Sequence, residues 1–130
     1  GWADERVEDK QDYAEKHDEV QRAPTRRDLR KARAQIISDK SKALTPLKTR
    51  ITKLEQEITE LETQIDRDNK ALVQASQSGE GKKIETLSMA IYTARNQIED
   101  LFEELDIATG EYERKSEVFE NKMAELQIAE

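Results

Sequence analysis

Eight cations define the chemistry this sequence could do. Arg26, Arg27, Arg30, Lys31 and Arg33, then Lys48, Arg50 and Lys53, lie in one stretch of the chain. Lys and Arg at this density can neutralise the phosphates of a nucleic acid, releasing its counterions. Their setting is acidic. Residues 22–53 carry 11 basic and 2 acidic groups, a net +9, while the whole chain stands at −7. Residues 1–21 hold −5, residues 54–92 hold −4 and residues 93–130 hold −7. A basic block set among acidic ones allows two readings. It could meet an external polyanion. It could also be folded against the acidic end at Glu111, Glu113, Glu117, Glu120 and Glu125.

Other chemistry is weakly supported. Gly79-Glu80-Gly81-Lys82-Lys83 has the glycines and lysine of a phosphate-binding loop. That motif needs a Gly five residues before the Gly-Lys pair and Ser or Thr after it, where this chain has Ser76 and Lys83. It reads as a turn. His17 is the only histidine, there is no cysteine, and no thiolate metal site can form. The runs Glu55, Glu57, Glu60, Glu62 and Glu99, Asp100, Glu103, Glu104 fall mostly outside the apolar positions. Carboxylates do catalytic acid–base work in a dry cleft, and these are expected on solvated faces. No catalytic, cofactor or metal site is expected, so the chain is not expected to be an enzyme.

The elements that must carry the cations follow from periodicity. Leu44, Ile51, Ile58, Ile65 and Leu72 fall at a, and Leu47, Leu54, Leu61 and Ala75 at d, with Asp68 interrupting the d series. This is a coiled-coil seam. The pattern stops near residues 77–82 and resumes with Ile84, Ile91, Ile98, Leu105, Tyr112, Phe119 and Leu126 at a. Leu87, Ala94, Leu101 and Ala108 supply d. Tyr112 and Phe119 therefore read as packing residues. Two such helices joined by a short polar loop fold back on each other as an antiparallel pair.

The expected architecture is all-α: an antiparallel two-helix coiled-coil hairpin preceded by a basic helix and a polar linker. The linker covers residues 1–24. Thr25 and Asp28 match a capping box that starts a basic helix over 25–45. Pro46, following Thr45, predicts a kink or break there, because an interior proline costs about 3 kcal/mol. The hairpin then occupies 46–130, with its tip near 77–82. The return helix is the longer arm, so its last part must pair with the basic helix. If the turn centres near Gly79-Glu80, Leu44 meets Lys115. A charged fraction of 39% fits a rod better than a globule. No apolar run approaches the roughly 20 residues of a membrane span. A monomeric, cytoplasmic hairpin is expected, and a start at Gly1 suggests a piece of a longer chain.

The run Arg27-Asp28-Leu29-Arg30-Lys31-Ala32-Arg33-Ala34-Gln35-Ile36, followed by Leu44-Thr45-Pro46-Leu47-Lys48-Thr49-Arg50-Ile51-Thr52-Lys53-Leu54-Glu55, resembles the C-terminal extension of F-subfamily ATP-binding-cassette (ABC-F) proteins. The resemblance covers roughly residues 22–126. It implies two ATPase domains upstream in the same chain, binding ATP and magnesium there, with no cofactor in this segment. It also implies action at the ribosome or on nucleic acid. The eight cations named first are the positions that match. The family's late tryptophan has no counterpart here, where Phe102, Tyr112 and Phe119 are the aromatics. The alternatives are a structural spacer or protein-docking arm without nucleic-acid binding, and a coiled coil that self-associates between chains.

Overall fold

The computed structural model describes residues 23–129, in which two long helices pack along each other. Helix α1 spans Arg26–Ser78 and helix α2 spans Gly81–Ala129. The polar linker expected over residues 1–24 lies outside the described residues except for its last two positions, and so does His17.

Helix α1 begins where the capping box places it. The Asp28 backbone N–H donates to Thr25 Oγ1 at 3.1 Å, and the Thr25 N–H donates to Asp28 Oδ2 at 3.1 Å. Two otherwise orphaned donors at the helix start are thereby satisfied. The helix ends at Gly79, which adopts φ 69°. That left-handed conformation is cheap only without a Cβ. It lets the Glu80 N–H reach back to the Ala75 carbonyl at 3.0 Å, the closure that terminates many helices. Gln77, Ser78, Gly81 and Lys82 are helical, so the turn proper is Gly79 and Glu80.

The seam follows the heptads. The buried residues are Leu44, Leu47, Leu54, Ile58 and Ala75 on α1, and Ile91, Ala94, Ala108 and Phe119 on α2. Every one occupies a predicted a or d position. Ala75, Ala94 and Ala108 are only 1–2% exposed, as small residues are where two helix backbones approach closely. The remaining apolar a and d residues, such as Ile51, Leu61, Ile65, Leu101 and Leu105, are half-buried. Two helices alone cannot cover both flanks of a seam. Asp68 is also half-buried, so its carboxylate keeps access to water where the heptad is interrupted.

The break expected near Thr45 does not occur. Pro46 lies inside α1, which runs unbroken from the basic segment into the hairpin arm. The division into a 25–45 helix and a 46–130 hairpin therefore matches no element boundary. The physical reason lies on either side of the proline. Leu44 is 3% and Leu47 9% exposed, both in the seam. Burying two leucines contributes about 3–6 kcal/mol, enough to outweigh the roughly 3 kcal/mol cost of an interior proline. Pro46 itself points to solvent, as does Lys42, whose carbonyl loses its intrahelical donor. The arms, at 53 and 49 residues, are nearly matched, so α2 has α1 to pack against along almost its whole length. Phe119, one heptad beyond Tyr112, is buried, and the seam thus continues below Pro46.

Candidate polyanion-binding surface

Because α1 is continuous, all eight candidate cations ride on one rigid element. From Arg26 to Lys53 the helix rises roughly 40 Å. Seven are exposed and Arg33 is half-buried. They do not form one patch.

Arg26, Arg30 and Arg33 line a shallow groove with Leu29. Their i, i+4, i+7 spacing puts them on a single face near the start of α1. Arg27 and Lys31, four residues apart, stand together on an adjoining face. Further along, Lys48 and Lys53 flank a depression that also includes Thr49, Thr52 and Gln56. Arg50 belongs to neither group. It turns across the seam to Glu104, with Nη2 3.9 Å from the carboxylate.

The seam separates the environments of Lys48 and Arg50. Positions e and g of a heptad flank it on opposite sides, and Lys48 takes e while Arg50 takes g. On the Arg50 side a carboxylate waits on α2. On the Lys48 side the neighbour is a ring: the ammonium lies 5.8 Å from the Tyr112 centroid. This contact also reports an antiparallel register close to that expected from a turn at Gly79-Glu80.

Among the described residues, ion pairs between the basic block and α2 are therefore sparse. Among the described residues the ion pair that joins the helices is Arg50–Glu104, and both side chains are more than half exposed. Such a pair contributes little, about 0–1 kcal/mol. Lys115 pairs with Glu111 at 3.0 Å within α2, which draws an acidic group of the return helix to its own strand of charge. Arg26, Arg27, Arg30, Lys31 and Lys53 make no ion pair among the described residues.

The acidic runs gather elsewhere. Glu57, Glu60, Asp100 and Glu104 rim an open cleft whose floor is Leu61 and Leu101. Acidic side chains gathered in this way disfavour the approach of a phosphate. No group of three or more His, Cys, Asp or Glu among the described residues is placed to hold a metal ion. Among the same residues no helix is long and apolar enough to cross a membrane.

No protein-family model, curated protein or solved structure matches the chain. Thr49, Thr52 and Gln56 are the surface residues that a search for cations overlooks. The signal that points to them is subtractive: residues 40–54 hold five cations and no carboxylate.

Proposed function

We propose that this chain is a non-catalytic coiled-coil arm of a cytoplasmic ABC-F-type ATPase, docking on nucleic acid or the ribosome through its basic root. The observation that carries this reading is that Arg26, Arg27, Arg30, Lys31 and Lys53 all stand on α1 and make no ion pair among the described residues. Eleven basic groups stand in residues 22–53, and among the described residues the ion pair that reaches them across the seam is the exposed Arg50–Glu104. Fixed positive charge on a rigid helix is a ready partner for a phosphate backbone. The resemblance of residues 22–126 to the ABC-F extension supports the same reading. On that resemblance, ATP and magnesium belong to domains upstream, and the arm supplies contact rather than chemistry.

Titration with a DNA duplex and with RNA at two salt concentrations tests it. Binding at low salt that weakens steeply with added salt is expected. Absence of binding at low salt, or binding indifferent to salt, rejects a phosphate mechanism.

A second reading has one observation in its favour. The Arg50–Glu104 pair shows that part of the block can serve the hairpin itself. The arm would then be a spacer or a protein-docking rod. In that case replacing Arg50 with Gln lowers thermal stability slightly, and the parent chain shows no nucleic-acid binding to lose.

A further inference from the structure

We infer that the phosphate-contacting surface is a lysine–hydroxyl strip along the middle of α1, with Thr49 and Thr52 acting as backbone ligands beside Lys48 and Lys53. The inference rests on the polyanion reading above and specifies where and how that contact is made.

Three observations converge on the strip. The first is placement. Ser41, Thr45, Lys48, Thr52 and Gln56 follow one another at spacings of three or four residues, with Lys42, Thr49 and Lys53 interleaved. All eight are exposed, running from the Lys48 flank of the seam round to the outer side of α1. Lys48, Thr49, Thr52, Lys53 and Gln56 together line one depression.

The second is charge. No acidic residue occurs on α1 between Asp39 and Glu55. The one cation of this segment that meets a carboxylate across the seam, Arg50, does so on the opposite flank from Lys48. A phosphate approaching Lys48, Thr49 and Lys53 meets donors, while carboxylates begin at the far end of the strip, where Thr52 and Gln56 share a depression with Glu55 and Glu60.

The third is the state of the hydroxyls. Some helical threonines turn inward to their own backbone, although Thr93 and Thr109 on α2, like those of the strip, do not. Thr59 donates to the Glu55 carbonyl at 3.0 Å, Thr63 to the Thr59 carbonyl at 3.0 Å, and Thr86 to the Lys82 carbonyl at 3.1 Å. Thr45, Thr49 and Thr52 form no hydrogen bond of this kind among the described residues. Their donors remain available to an external acceptor. Phosphate oxygens are acceptors, and Ser, Thr, Gln and Lys side chains are their usual partners. Contacts of this type hold the backbone without reading bases, so the strip binds independently of sequence.

The two ligand types give different signatures, and an experiment on the full chain separates them. Affinity for a short DNA duplex and for an RNA hairpin is measured across a salt series. Lys48→Gln and Lys53→Gln each remove one released counterion and should flatten the slope of log K against log salt by about 0.9 on the duplex. Thr49→Val combined with Thr52→Val removes two neutral donors of nearly unchanged shape. It should weaken binding about tenfold at every salt concentration and leave the slope intact. Thr59→Val, whose hydroxyl is already committed to Glu55, should leave affinity unchanged. Circular dichroism on each variant confirms that the hairpin is retained. If the parent chain binds steeply, and strip variants match it while a variant with Gln at Arg26, Arg27, Arg30 and Lys31 loses binding, the strip is overturned and the polyanion reading stands. If the parent chain does not bind at low salt, both fall.

Discussion

Lys48 on α1 lies over the Tyr112 ring of α2, with the ammonium 5.8 Å from the ring centroid. This contact reports the antiparallel register set by the turn and the seam, because a slip of one heptad would bring Lys48 to Leu105 or Phe119. It also explains why an aromatic residue stands at an a position of the return helix. Tyr112 is half-buried, with the Lys48 ammonium over its ring.

The Lys48–Tyr112 contact should be measurable as a coupling energy. In a double-mutant cycle of Lys48→Gln and Tyr112→Leu, unfolding by urea should return about 0.5–1 kcal/mol of interaction, the size expected of an exposed cation–π pair. Strict additivity of the two substitutions would mean that the ring serves the seam alone.

Gly79 and Gly110 should respond in opposite directions. Gly79→Ala forces a Cβ into a φ of 69° and should destabilise the fold by roughly 1–2 kcal/mol. Gly110 is helical, and a Cβ there meets only the end of the Arg114 side chain, at 3.3 Å. A guanidinium on a flexible stem can move aside. Gly110→Ala should therefore stabilise by roughly 0.5–1 kcal/mol. Thermal melts of the two variants, one below and one above the parent chain, check both signs at once.

Phe119 gives a test of whether the base of the hairpin is zipped. It is 9% exposed, and the Lys122 ammonium lies 5.3 Å from its ring centroid. Phe119→Ala should cost about 3 kcal/mol, and hydrogen exchange should accelerate in residues 26–45 as well as around the substitution. Faster exchange confined to α2 would show that the basic segment gains nothing from this packing.

The same contacts indicate which features were readable in the residues alone. The seam was, because period 3.5 is a property of residue type and order. Leu44 through Phe119 fell where that pattern put them. The Thr25–Asp28 cap and the Gly79 turn were readable for a similar reason, each being a local rule carried by a few adjacent side chains. What escaped depends on partners distant in sequence or on side-chain rotation. The competition between Pro46 and the leucines beside it turns on how deeply α2 buries them. Arg50 and Lys48 are both cations in the sequence, and only the packed pair shows one facing Glu104 and the other facing Tyr112. Likewise, nothing in the letter T separates Thr59, bonded to its own helix, from Thr52.

Pro46 itself yields the last prediction. An interior proline removes one helix hydrogen bond and crowds the carbonyl four residues back. In α1 that position is exposed, so no packing gain is tied to the pyrrolidine ring. The helix persists because Leu44 and Leu47 hold it from either side. Pro46→Ala should then restore the hydrogen bond to the Lys42 carbonyl and stabilise the hairpin, by up to about 3 kcal/mol. The unfolding midpoint in urea should rise with little change in slope, since the same surface is buried in both forms. The converse substitutions should be more costly than in an unbroken helix. Leu44→Ala or Leu47→Ala in the parent chain removes half of what offsets the proline, and should open residues 26–45 to rapid exchange. In the Pro46→Ala background the same leucine truncations should leave that segment protected. If Pro46→Ala lowers stability instead, the proline would have to be holding a helix geometry that the seam requires, and the two leucines would not be the reason α1 is continuous.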